Sequence, residues 1–175
     1  MKCKVALLFL LLLFSACGSV DSQKVTSIES EIESIDKEIA SAEKENEKYT
    51  GGLVKALINS QIQTLKQTRA MLQQKKDSWL FGISLNYTVE GRPFVMPAGA
   101  KALLPDIERE ISENRDKIRD QEAVVSQYSG GLVHALSLST LETMRQSQAM
   151  LEQRRLSIKY ELPQYLSFQN KPDDK

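Results

Sequence analysis

Shifting the chain by 79 residues lays residues 28–80 on residues 107–159 without an insertion, and 21 of these 53 positions are identical. The matches include Ile28/Ile107, Ile32/Ile111, Tyr49/Tyr128, two Gly-Gly pairs and Ala70-Met71-Leu72/Ala149-Met150-Leu151. A period this long exceeds the usual solenoid units. Whatever one copy folds into, the chain must hold two of them.

Within copy one, Ile28, Ile32, Ile35, Ile39, Ala42, Asn46 and Tyr49 step by alternating fours and threes, with Glu, Lys and Ser between them. That is the a/d seam of a helix packed along another helix. Copy two keeps the phase as Ile107, Ile111, Asn114, Ile118, Gln121, Val125 and Tyr128, and Pro105-Asp106 supplies a start signal. Past the glycines the apolar positions are Ile58, Ile62, Leu65, Leu72 and Trp79, answered by Ser137, Leu141, Met144, Leu151 and Ile158. Extending the first seam through the glycines would instead give a mostly polar row. The stripe is therefore rotated at Gly51-Gly52 and again at Gly130-Gly131.

Two glycines inside a helix cost about 2 kcal/mol relative to alanines, and glycine readily adopts the left-handed geometry that ends one. Thr50 and Ser129 are placed to cap a following helix. Cost, rotation and capping favour a hairpin with corners at Tyr49, Gly51, Gly52 and at Tyr128, Gly130, Gly131. Two alternatives stay open: a continuous helix packed closely at its glycines, and an anion nest at the helix start with Lys55 and His134 one turn later. The nest lacks the further glycines, the Lys-Ser/Thr ending and the preceding strand of a phosphate loop.

A second row is identical in both copies: Leu57, Ser60, Thr64, Gln67, Met71, Gln74 and Ser78 match Leu136, Ser139, Thr143, Gln146, Met150, Gln153 and Ser157. Threes and fours place it on one side of the helix. It reads either as a partly exposed flank or as a close seam where copies or molecules meet, in which case buried amides need partners.

Between the copies, residues 83–89 alternate at the strand period, and Glu90-Gly91 can turn them into residues 92–97, with Pro93 and Pro97 confining that strand to an edge. A lone hairpin is marginal, and residues 156–168 are the expected third strand.

At the start, Lys2 and Lys4 precede an apolar run over residues 5–14, then Ser15-Ala16 and Cys17. The run is too short for a bilayer core of roughly 30 Å and reads as an export signal. Phe14-Ser15-Ala16-Cys17 resembles the lipobox of bacterial lipoproteins, with Phe14 where that family usually has Leu. The resemblance covers the leader alone. It implies cleavage before Cys17 and acyl chains, palmitate among them, on that residue. Several such chains hold a protein stably on a membrane. In a Gram-negative cell, Gly18 in place of aspartate implies the periplasmic face of the outer membrane. Lipid at one end, heptads and a terminal Lys175 also resemble the small murein lipoprotein, which implies a cell-wall spacer joined through Lys175.

Chemistry is sparse. The only histidine is His134, and both cysteines, Cys3 and Cys17, lie in the first 17 residues, so a histidine cluster or His-based triad has no second histidine and a thiolate metal site has no members in the body. Basic and acidic residues number 23 each, and removing Lys2 and Lys4 leaves a slight acidic excess, which disfavours nucleic acid. Glu29, Glu31, Glu33 and Glu38 sit at heptad flanks and read as helix-surface charge.

The expectation is mainly α: two tandem helical hairpins, packed with approximate two-fold symmetry as an elongated four-helix bundle or antiparallel coiled coil, with a small β-hairpin between them. Its parts are a signal peptide (1–16), a lipidated tether (17–27), repeat one (28–80), a connector (81–106), repeat two (107–159) and a tail (160–175). The expected function is that of a lipid-anchored envelope protein, a non-enzymatic structural or protein-binding module without cofactor or metal. Its expected partners are the membrane and either an envelope protein or a second copy. The competing class is a ligand-binding or catalytic protein using the glycine corners.

Overall fold

The computed structural model describes residues 22–164. The leader, the lipid-attachment residue Cys17 and Lys175 lie outside the described residues. Four helices dominate: α1 (Ser22–Asn46), α2 (Gly52–Phe81), α3 (Leu104–Ser126) and α4 (Gly131–Lys159). Between α2 and α3 come the two-residue strands β1 (Thr88–Val89) and β2 (Arg92–Pro93) and a 3-10 turn at Ala100–Leu103.

α1 begins ahead of the expected boundary. Residues 22–27, read from sequence as tether, are its first turns, and Val25 carries the seam one step back before Ile28. Ile28, Ile32, Ile35, Ile39 and Ala42 are buried as their spacing requires. In α3 only Ile107 and Ile111 are buried. The polar positions of its seam work by hydrogen bonds instead: the Asn114 amide donates to the Met144 carbonyl at 3.1 Å, and that of Gln121 to the Ser137 carbonyl at 2.9 Å.

Each copy is an antiparallel hairpin with the same internal register. In copy one Arg69 reaches Asp36 and Lys66 reaches Glu43. In copy two Arg145 reaches Glu122 and Arg115 reaches Glu152. The hairpins join through their second helices, and α2 and α4 run parallel, because Thr64 meets Gln146 and Thr68 meets Gln153. Both glycine corners therefore lie at one end of the bundle and the α1 N-terminus at the other. α1 packs along α2, and its N-terminal half reaches α4 through side chains, with Ile28, Ile32, Ile35 and Ile39 sharing a core with Leu65, Leu72, Ala149, Leu156 and Tyr160.

The two-fold symmetry expected from the duplication is not present. Gln146 corresponds to Gln67 of copy one, so a two-fold would also pair Gln67 with Thr143 and Gln74 with Ser147. All four of those residues are exposed. Copy two has slid along copy one by three to six residues, about 5–9 Å at 1.5 Å per residue. Each end of the bundle consequently has one copy projecting past the other.

Both second helices close in the same way, and here the duplication runs three residues past its visible limit. The Ile83 N–H donates to the Ser78 carbonyl at 2.9 Å, and the Leu162 N–H donates to the equivalent Ser157 carbonyl at 2.8 Å. These are the long bonds of a Schellman ending, which needs a left-handed residue just before the donor. Gly82 supplies it at φ +65° and Glu161 at φ +56°. The surroundings differ because of the slide: Phe81 and Ile83 are 72% and 57% exposed, whereas Tyr160 and Leu162 are 6% and 1% exposed.

The connector's ladder is shorter than its alternation suggests. Thr88 pairs with Pro93 and Val89 with Arg92, and the Phe94 N–H adds a bond to the Tyr87 carbonyl at 2.8 Å. Glu90 and Gly91, both at positive φ, make the tight turn that suits strand twist. Among the described residues no third strand joins it, and residues 165–168 of the expected one lie outside them. Residues 156–159, expected to pair there, are the last turn of α4, and residues 160–162 cap that helix. Among the described residues no helix is long and apolar enough to cross a membrane.

Candidate functional site

The glycine corners are the first candidate. α1 ends at Asn46 and α2 starts at Gly52; α3 ends at Ser126 and α4 starts at Gly131. The chain turns at the second glycine of each pair, Gly52 at φ +86° and Gly131 at φ +82°, whereas Gly51 and Gly130 are extended. These extended glycines are the residues preceding each helix, and no side chain caps it, so Thr50 and Ser129 do not play the expected capping role.

Lys55 does not face an open nest. Its ammonium donates to the Tyr49 carbonyl at 2.7 Å and so closes the corner. The Tyr49 hydroxyl donates to Glu45 at 3.2 Å. Burial, with Glu45 beside it, pushes this phenol up to about 12. Copy two, projecting at this end, has the more open corner. His134 is half-buried, and Tyr128, Leu132, Val133 and Leu136 are exposed, Leu132 by 75%.

The second candidate is the contact between copies. The Gln153 amide, buried, donates to the Thr68 hydroxyl at 3.0 Å, and Thr68 donates to the Thr64 carbonyl at 2.8 Å. The row of identical residues thus supplies Thr64, Gln146 and Gln153 to a seam between copies, while Gln67 and Gln74 of the same row stay in solvent.

Beside it, Arg155 holds Glu31 of α1 through both carboxylate oxygens at 2.8 and 3.1 Å, and Glu152 at 2.8 Å. Lys159 also binds Glu31, at 2.8 Å. Glu31, read from sequence as surface charge, is instead the tie between the hairpins. Burial alone would raise its carboxyl; the bonds from Arg155 and Lys159 outweigh that and hold it below the usual range. Glu38 is pushed up, by burial first and then by Glu152. The cleft framed by these groups has a volume of about 100 Å³, room for a few waters at about 30 Å³ each, against the 300–1,000 Å³ typical of organic ligand sites.

The third candidate lies at the opposite end, where α1 begins, and sequence reasoning missed it. Lys24 of α1, Lys75 and Trp79 of α2, Lys101 of the 3-10 turn, and Lys159 of α4 line one cavity of about 480 Å³. Glu161 is its single carboxylate and accepts from Lys101 at 2.7 Å. Lys75 lies 5.7 Å from the Trp79 ring centre, and burial lowers its ammonium below the usual lysine range.

Lys75 and Glu161 also line a second cavity, of about 510 Å³, whose walls are Leu85, Tyr87, Phe94, Val95 and Met96 of the hairpin. Within it the Tyr87 hydroxyl is buried without a hydrogen-bond partner among the described residues. The lysines are far apart in sequence and converge only because α2 and α4 run parallel. Only the Trp79 position gave any earlier signal. Among the described residues no group of His, Cys, Asp and Glu is suited to hold a metal.

No protein-family model matches the chain, and no curated protein and no solved structure is similar to it.

Proposed function

We propose that the chain is a lipid-anchored bacterial envelope protein, a non-enzymatic helical module that holds an apolar recognition surface away from the membrane. The observation that carries this reading is polarity along the bundle. α1 begins at Ser22, five residues after Cys17 in the sequence, and the corners lie at the other end, about 43 Å away along the 29 residues of α4. At that far end the slide exposes Val124 of α3 and Tyr128 of the corner beside Leu132, Val133 and Leu136 of α4. Clustered apolar exposure of this kind marks interaction surfaces. The partner would be an apolar segment of another envelope protein or the same surface of a second copy.

The non-enzymatic reading rests on the charges. Glu31, Glu142, Arg145 and Arg155, all shifted from their ordinary values, pair with one another or with neighbours across helices, and the cleft beside Glu31 and Arg155 is too small for an organic substrate.

Two measurements test the parts separately. Cells fed labelled palmitate should label the wild-type chain and not Cys17→Ser; equal labelling sinks the anchor. A photo-crosslinking residue at Leu132 or Leu136 should give a discrete adduct in intact cells, with none from Lys37 on the exposed side of α1. Adducts of equal yield from all three positions refute the recognition surface.

A further inference from the structure

We infer that the chain binds a second molecule of itself by repeating, between molecules, the joint that holds its own two hairpins together. The α4 side bearing Thr143, Ser147 and Met150 receives the α2 side bearing Gln67, Ala70 and Gln74 of the second molecule. The inference rests on the reading of an interaction module and names its partner; it does not depend on acylation of Cys17.

The internal joint has two unlike halves. On α2 it is Thr64, Thr68 and Met71; on α4 it is Gln146, Ala149 and Gln153, whose two amides reach the two threonine hydroxyls. The 79-residue repeat puts a duplicate of each half on the other hairpin. Thr143, Ser147 and Met150 duplicate the first and Gln67, Ala70 and Gln74 the second, with five of the six residues identical and Ser147 keeping the hydroxyl of Thr68. In the joint Thr68 is 3% and Ala149 2% exposed. All six duplicates are in solvent, because the slide leaves them out. The molecule thus carries, unused, both halves of a contact that it already makes.

Neither duplicate is an ordinary solvated flank. In a chain that is 26% charged, the exposed side of α2 that runs by threes and fours from Leu53 to Gln74 carries no charged residue. The exposed side of α4 from Leu132 to Met150 carries none either. An outward helix face usually bears charge, as Glu33, Lys37 and Lys44 show on α1, whereas the core of an interface is depleted of it.

Charge at the edge of the joint repeats as well. Arg155 on α4 grips Glu31 on α1, and the duplicates of these residues are Lys76 on α2 and Glu110 on α3. The same contact between molecules sets Glu110 against Lys76 of the second one. Glu110 is exposed and has no ion pair among the described residues, and Lys76 reaches Glu29 at 3.6 Å. One part does not repeat: Leu156, 1% exposed beside the joint, is Asp77 in copy one. The contact between molecules lacks that apolar residue and is weaker than the internal one, so it is best read by covalent trapping. An apolar segment of another protein would use Leu132 and Leu136 but leave the hydroxyl-and-amide pattern without a purpose.

The test uses the chain from residue 17 onward with Cys17→Ser, which retains every described residue and has no other cysteine. Gln67→Cys and Thr143→Cys, both at exposed positions, are made on separate chains, one of them size-tagged, and treated with a short bismaleimide. The mixed pair should crosslink and neither chain with itself, because the contact sets unlike faces together. Lys37→Cys on the outer side of α1 should crosslink to neither. Ser147→Glu, added to the Thr143→Cys chain, puts a charge into the contact and should abolish the mixed crosslink. Glu110→Lys on that chain should lower the yield by about two- to fivefold, the factor carried by an exposed ion pair, and Lys76→Glu on the other chain should restore it.

A Thr143→Cys chain that crosslinks to itself as strongly as to its partner overturns the pairing of unlike faces. A mixture that does not crosslink, or does so undiminished with Ser147→Glu, overturns the inference outright. If the mixture fails while Leu136 still gives a photo-adduct with another protein in intact cells, the recognition surface stands and the second molecule as its partner falls.

Discussion

The paired helix endings allow a stability prediction in which one copy serves as the control for the other. Gly82 and Glu161 hold equivalent left-handed positions, φ +65° and +56°. A Cβ built on Gly82 meets nothing within 4 Å, so Gly82→Ala changes backbone energy alone. Left-handed geometry costs an L-residue about 1–2 kcal/mol, and the stiffer unfolded chain returns about 0.4–1 kcal/mol. Gly82→Ala should therefore destabilise by about 1 kcal/mol.

Glu161→Gly runs the argument backwards. It should gain about the same amount, less whatever the Lys101–Glu161 pair contributes, and that is small because both side chains are half exposed or more. The sign with pH is fixed. Lys101 holds the Glu161 carboxyl below the usual range, so the pair stabilises the wild type above the unfolded pKa of a glutamate and loses that contribution as pH falls through the folded one. The advantage of Glu161→Gly should thus grow on acidification, and in a Lys101→Met background it should be large at both pH values. Urea unfolding followed by far-UV circular dichroism at neutral and acid pH measures the wild type, the three single variants and the Lys101→Met/Glu161→Gly double variant. A neutral Gly82→Ala together with a destabilising Glu161→Gly at acid pH would refute the reasoning.

Other changes reach other parts of the molecule. Arg155→Met leaves Glu31 to Lys159 and Glu152 to Arg115, with the two carboxylate side chains 18% and 11% exposed; because those partners remain, a loss of about 2 kcal/mol in urea unfolding is expected, below the range for a fully broken buried pair, and it should shrink at acid pH as the carboxylates protonate. Thr68→Val removes the acceptor of the buried Gln153 amide and should cost about 1–3 kcal/mol, whereas adding Gln153→Leu should restore most of it; a double mutant no better than the single excludes that bond as the cause. At the corners, Gly52→Ala and Gly131→Ala should each cost about 1 kcal/mol in thermal unfolding, after the same offset of strain and entropy. Gly51→Ala and Gly130→Ala, in extended backbone, should cost less than about half of that, and a reversed order would contradict the turn geometry.

Sequence was most informative where one side of a helix meets one neighbour. The Ile28–Ile39 spacing located the α1 seam because α1 packs chiefly on α2, and the rotated stripe Ile58, Ile62, Leu65, Leu72 located the reply. α4 resisted the same reading. It touches α1, α2 and α3, so it buries Glu142, Glu152, Gln153 and Ser157 besides its apolar stripe, and a polar side chain that will be buried by distant partners looks locally like a solvated one.

Glu161 was opaque for a related reason: a glutamate in a left-handed position carries no glycine signal, and only the match to Gly82 in space exposes it. The connector misled in the opposite sense. Its alternation is real, but a ladder extends only where a partner strand exists, and residues 156–159 were already committed to α4. The lysine cavity could not be read at all, since its members come from four separate elements.

The slid contact between the copies has a directional consequence. A two-fold joint consumes both of its faces; a shifted one does not. Copy one presents Thr64 and Thr68 to the amides of copy two, yet the same threonine-and-serine side of copy two, Thr143 and Ser147, stands in solvent, as does the glutamine side of copy one, Gln67 and Gln74. The molecule therefore has a head and a tail, like a brick with a tongue along one flank and a groove along the other. Any further hairpin added by the same operation would lengthen the row instead of closing a ring.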